Sequence, residues 1–220
     1  MSRRCISYDM QGLSFREYLK IMHNISFPVY SLEDILTKTD KIFSEVNKKI
    51  RPLQYFHTYF QEGYYPLAVL SSEVPMFVDI SKLFRLADIT RNTVLPYLQY
   101  LDSAKIIRLL YEDDDSVKKM QKPDKIFMEN TNILHALAQH PVDIGTQRET
   151  FFCNQIGFAH RVEYFKKCDY IIDKQYTFEI GGKNKDGKQV AKTENSFIAA
   201  DNTECATGNK QPLWLFGFMY

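Results

Sequence analysis

The sequence predicts an α+β protein, on three observations: a helical N-terminal stretch, a helix-turn-helix followed by a β-hairpin, and a C-terminal helix that feeds a run of short strands. Ser14, followed three residues later by Glu17, is a capping box, so a helix is expected to start there. From Ser31, the spacing of Ile35, Ile42, Val46 and Ile50 predicts a helix capped by Ser31 and stopped at Pro52. A second helix is expected through Leu53 to Phe60, ending near Gly63.

The next stretch carries a winged-helix pattern. A short helix over 81–86, a turn over 87–89 and a longer helix from Thr90 through Leu101, with Val94, Leu98 and Leu101 at helical spacing, make a helix-turn-helix. Ile106 to Tyr111 and Lys125 to Met128 then supply the two strands of a wing, separated by a loop that begins with the charged EDDDS. After Asn130 come a short helix in TNILHALA, a longer one in RETFFCNQIGFA, and strands in VEYF, YIID, YTFEI and SFIAAD, before the apolar PLWLFGFMY. A helix feeding a small mixed sheet makes this last unit α/β.

Composition narrows the function classes. At 220 residues, 45% hydrophobic and 25% charged, the chain reads as a soluble globular protein with room for two small units. Its net charge of +1 creates no global field for polyanions, so any nucleic-acid contact has to be local. Cys5, Cys153, Cys168 and Cys205 show no C-x-x-C pairing, which favours a reduced, cytoplasmic setting. No apolar run approaches the roughly 18 to 20 residues of a membrane span, and no signal-peptide core is present.

The chemistry is read from what converges. No G-x-x-x-x-G-K-[ST] occurs, so nothing in the sequence would cradle a nucleotide's phosphates. His23, His57, His135, His140 and His160 lack ligand spacing and are read as structural or surface residues, and no metal ligands are assigned. Glu149 on a helix, Asp169 opening a strand and Glu179 before Gly-Gly-Lys form the kind of acidic set that divalent-metal nucleases use, with hard oxygen ligands beside a charge-stabilising lysine. The usual lysine position, two residues after the second carboxylate, is Gly181, so Lys183 would have to reach back from the loop. Arg91 and Asn92, at the start of the candidate recognition helix, could meet phosphate or simply cap the helix, and the acidic EDDDS would repel a DNA backbone.

The strings QGLSFREYL, YFQEGYYP, TRNTVLPYLQYLDSAKIIRLLY, KIFMENTNILHAL, IGTQRETFFCNQI, YTFEIGGKNK and PLWLFGFMY occur in that order along nearly the whole chain. Together they resemble a large family of bacterial ATP-binding proteins that join an AAA-type ATPase to a C-terminal domain of unknown function. The resemblance implies that residues 1–19 are the tail of an ATPase core lying upstream, with Arg3 and Arg4 as nucleotide-sensing arginines. It further implies a helical lid or linker over 20–77, a winged-helix domain over 78–130, and an α/β domain over 131–220 of the PD-(D/E)XK nuclease-like fold. In that fold Glu149, Asp169 and Glu179 would stand where its acids lie. Between Tyr65 and Val78 the chain has only PLAVLSSEVPMF where the family has more helix, so the resemblance implies either exposed apolar surface there or a looser link between the two units.

The expectation drawn from all this is a regulatory or partner-binding region without ATPase activity of its own. It would have the ATPase core as a partner in cis, a protein partner for the C-terminal unit, and no cofactor; ATP and Mg2+ belong to the parent family. A Mg2+-dependent nuclease and a winged-helix DNA-binding module are the alternative readings.

Overall fold

The computed structural model describes residues 12–65, 91–112, 123–138, 140–185 and 195–220, and for residues 91–95 the backbone alone. The expected helix over 81–86 and the 66–77 stretch lie outside the described residues.

Helix α1 (Phe15–His23) begins at the expected capping box. The Ser14 hydroxyl accepts from the Glu17 amide, and the Glu17 carboxylate accepts from the Ser14 amide at 3.0 Å. The helix stops at Asn24, in the left-handed conformation that asparagine tolerates. The single helix expected after Ser31 is instead two, α2 (Leu32–Thr37) and α3 (Thr39–Asn47), broken at Lys38. The hydroxyls of Thr37 and Thr39 each donate to the carbonyl four residues back, a local bond that bends helices. Leu32, Ile35, Ile42 and Val46 stay buried across the bend. Helix α4 (Pro52–Thr58) opens on proline, whose missing N–H costs nothing there, and continues into a wider π-type turn, Tyr59–Gly63. Asn132 caps the end of that turn, accepting from the Tyr64 amide at 2.7 Å and donating to the Phe60 carbonyl at 3.0 Å.

Helix α5 (Arg91–Ser103) leads into the antiparallel hairpin β1 (Ile107–Leu110) and β2 (Lys125–Met128). Helices α6 (Thr131–Leu137) and α7 (Ile144–Ile156) follow, capped by the side chains of Asn130 and Asp143. Five strands then pair in sequence order: β3 (Val162–Tyr164), β4 (Tyr170–Ile172), β5 (Tyr176–Gly181), β6 (Ser196–Ala200) and β7 (Lys210–Pro212). The first three run antiparallel, β6 lies parallel to β5, and β7 parallel to β6. The apolar terminus forms a 3-10 helix, Leu213–Phe218. The chain is thus α+β, and no described helix is long and apolar enough to cross a membrane.

Strand alternation sends Tyr170, Ile172, Phe178, Ile180 and Ala199 to one face, where they meet Phe152 and Ile156 of α7 and Trp214 and Phe216 of the 3-10 helix. The same core takes in Phe15, Leu19, Phe56 and Phe60. Phe15 lies edge-on to Phe218 at 5.7 Å and Phe56 edge-on to Phe151 at 4.8 Å, so the N-terminal helices share their core with the sheet unit. The hairpin is joined to the sheet as well. The Tyr164 amide donates to the Tyr111 carbonyl at 2.9 Å, and Glu112 bridges Tyr164, which attaches the end of β1 to the β3 edge.

Candidate functional site

Glu149, Asp169 and Glu179 come from three elements that meet at one end of the sheet. Glu149 projects from α7, and its Oε2 accepts from Lys125 Nζ at 2.8 Å and from the Tyr170 hydroxyl. Lys125 reaches it from the first residue of β2, with its ammonium over the rings of Tyr170 (5.0 Å), Tyr164 (5.3 Å) and Phe127 (5.7 Å). Asp169 immediately precedes β4. Because Tyr170 pairs with Phe178, Asp169 lies opposite Glu179 one step along. Its Oδ2 accepts from the Ile180 amide at 2.7 Å. Burial, reinforced by the Glu149 charge, raises the Asp169 carboxyl above the ordinary carboxylate value, against the pull of that amide and of Lys125 and Lys185.

Glu179, on β5, is only 2% exposed. Its Oε1 meets Lys185 Nζ at 2.7 Å, whereas its Oε2 is buried with no hydrogen-bond partner. The lysine on Glu179 is therefore Lys185. The Lys183 side chain is exposed, and its carbonyl accepts from Lys210 Nζ at 3.0 Å. Gly181 explains the substitution: a Cβ there would sit 2.9 Å from Cβ, Cγ and Cδ of Lys185, so the absent side chain makes room for the lysine stem. Beside this group, Arg148 Nε donates to the buried Asp201 at 2.9 Å. Among the described residues, no three His, Cys, Asp or Glu side chains are grouped so that they could hold a metal ion. Each of the three predicted acids instead has its own internal donor, so a cation entering here would have to compete with an ammonium already in contact.

A second polar junction lies under the hairpin. Arg108 of β1 donates to the buried Glu129 at 2.6 Å. Asn154 of α7 donates to the Glu129 carbonyl at 2.9 Å and to the Tyr64 hydroxyl at 3.2 Å. Gly157 is needed for this contact, since a Cβ there would overlap an Arg108 guanidinium nitrogen. Cys153 lies nearby, its thiol pushed up to about 12 by burial, which leaves it a small apolar group and no nucleophile.

Arg91 and Asn92 occupy the first turn of α5, and Arg3 and Arg4 lie outside the described residues. Sequence reasoning passed over Lys125, Lys185, Tyr170, Arg148 and Asp201. Two of them carried a signal: Lys185 in the K-N-K that follows a glycine in the usual lysine position, and Arg148 next to Glu149. Lys125 carried none, because only the fold brings the hairpin to α7. No protein-family model, no curated protein and no solved structure matches the chain.

Proposed function

We propose that this chain is a non-catalytic, partner-binding region of an AAA-type ATP-binding protein of the cytoplasm, joining an ATPase core in cis to a protein recognised by the C-terminal unit. The family assignment rests on the ordered strings of the sequence. The non-catalytic reading is carried by one observation: Lys125 and Tyr170 on Glu149, the Ile180 amide on Asp169 and Lys185 on Glu179 engage the three nuclease-like acids from within. The core that α1 and α4 share with α7 and the 3-10 helix supports a coupling role, since movement of the N-terminal helices would bear directly on the sheet unit. On this reading the chain needs no cofactor, and ATP and Mg2+ act in the core. Incubation with ATP and Mg2+, and separately with supercoiled plasmid and Mg2+ or Mn2+, should give neither phosphate release nor nicking. Phosphate release by the chain, or nicking abolished by Glu179→Ala, would overturn it.

A second reading, a Mg2+-dependent nuclease-like centre, is favoured by the partnerless buried Oε2 of Glu179 opposite Asp169. It would need Glu149, Asp169 and Glu179 to regroup, because as they stand no three such side chains among the described residues could hold a metal ion, and Lys185 would take the charge-stabilising place expected of Lys183. For the helix-hairpin unit, attachment of the hairpin to β3 favours docking over contact with DNA.

A further inference from the structure

We propose that residues 12–14, which lead into α1, and the β1–β2 hairpin are coupled through Asn154 and Gln155 of α7, so that displacing the first loosens the seat of the second. The partner-binding reading enters only as the source of that displacement, an ATPase core upstream. Residues 12–14 are gripped by three tyrosines. The Tyr59 hydroxyl donates to the Leu13 carbonyl at 2.6 Å and the Tyr220 hydroxyl to the Gly12 carbonyl at 3.4 Å. The Leu13 amide donates to the Tyr64 carbonyl at 2.7 Å, and the Tyr64 ring lies so close over Gly12 that a Cβ there would sit 2.2 Å from a ring carbon. All three hydroxyls reach α7. Gln155 Nε2 donates toward Tyr59 at 3.1 Å and toward Tyr220 at 3.4 Å, and Asn154 Nδ2 donates to Tyr64 at 3.2 Å. Both routes meet at Asn154, because Gln155 Nε2 also donates to Asn154 Oδ1 at 2.8 Å. The next step is the hairpin. Asn154 Nδ2 donates to the Glu129 carbonyl at 2.9 Å, the Glu129 amide donates to the Ile106 carbonyl at 2.9 Å, and the Glu129 carboxylate accepts from Arg108 of β1.

Gln155 gives this network two discrete arrangements, which coupling between distant elements requires. Its Nε2 has two hydrogens for three acceptors, while its Oε1 is buried with no hydrogen-bond partner. Withdrawing 12–14 takes the Leu13 carbonyl from the Tyr59 hydroxyl, and Oε1 becomes the acceptor for that hydrogen once the amide turns over. An oxygen turned that way faces Asn154 Oδ1, so Asn154 turns as well and its Nδ2 leaves the Glu129 carbonyl. Asn154 and Gln155 are both buried, so each bond lost has to be replaced from within the network.

The test is hydrogen–deuterium exchange read by mass spectrometry on the wild-type chain, Gly12→Ala, Asn154→Ala and Gly12→Ala/Asn154→Ala. Gly12→Ala drives a methyl group into the Tyr64 ring and displaces 12–14. The amides of 107–110 and 125–129 should then exchange about tenfold faster, within the usual range of coupling between two sites, while those of β5 and β6 keep their wild-type rates. Asn154→Ala should speed the same amides, and adding Gly12→Ala to it should speed them no further. If circular dichroism shows Gly12→Ala unfolded, Tyr59→Phe, which removes a hydroxyl and adds no atom, replaces it with the same expectation, and Gln155→Met serves for Asn154→Ala on the same ground. Unchanged hairpin exchange, equal acceleration in β5 and β6, or additive acceleration in the double variant overturns the coupling. Each is measured on the chain alone, so that failure leaves the partner-binding reading standing, whereas phosphate release or nicking would remove that reading and leave the coupling.

Discussion

The aromatic seam and the charged junction each hold a different part of the chain against α7, the N-terminal helices in one case and the hairpin in the other, and they do so by opposite means. In the seam, Phe151 of α7 lies within 4.8 Å of Phe56, 5.3 Å of Phe60 and 6.0 Å of Tyr59, ring centre to ring centre, and none of these residues offers a charge. Beneath the hairpin, contact is made by Arg108 on Glu129 and Lys125 on Glu149. Apolar packing is strong and weakly directional, so many arrangements of rings would serve. A buried ion pair adds little net stability but penalises any arrangement that separates its partners. The seam therefore supplies most of the stability, and the junction fixes where the hairpin rests.

The largest expected effect breaks the seam. Phe151→Ala should cost about 3–5 kcal/mol in urea unfolding, because the cavity is bounded by rings from two helices that cannot all collapse into it. A loss below about 1 kcal/mol would mean that the N-terminal helices are not packed there. Next comes Arg108→Met, which leaves Glu129 buried and unpaired and should cost about 3 kcal/mol. Adding Glu129→Gln should restore part of that loss, and a double variant no better than the single one would remove the ion pair from the account. Ser14→Ala should cost about 1 kcal/mol as a lost cap, since the same hydroxyl also donates to the Tyr220 carbonyl at 2.6 Å.

The smallest effect has the opposite sign. Burial raises the folded-state pKa of Asp169, so the folded chain holds that proton more tightly than the unfolded chain does. The penalty is absent below the ordinary carboxylate pKa and grows as pH rises from there through the raised folded value. Asp169→Asn keeps a carbonyl for the Ile180 amide and should raise the melting temperature at pH 7 but not at pH 3. A decrease at pH 7 would show that the charged form is the stabilised one.

Local chemistry explains which elements could be read from residues alone. The Ser14–Glu17 box, the 131–137 helix and strands β3 to β6 follow from local signals within a few residues, whereas the helix expected from Arg148 in RETFFCNQIGFA starts four residues earlier, at Ile144, where Asp143 caps it, and ends at Ile156. The break at Lys38 could not be read that way, because the buried stripe runs through it unchanged and only the back-bonding hydroxyls mark the bend. Strand β7 is three residues long with a proline at its end, too short to carry a period. For the site, Glu149, Asp169 and Glu179 were visible because acids of that kind sit at recognisable places on a helix and two strands. Their partners were not, since Lys125 arrives from 24 residues upstream through tertiary packing and Lys185 depends on the space left by Gly181.

The claim that these acids are neutralised from within is tested most directly by a double-mutant cycle on Glu179 and Lys185, measured by urea unfolding. Lys185→Met should destabilise the chain by stranding a buried carboxylate, and Glu179→Gln/Lys185→Met should recover a coupling of about 1–3 kcal/mol. Strictly additive losses would show that Lys185 does not neutralise Glu179, and the non-catalytic reading would lose its main support.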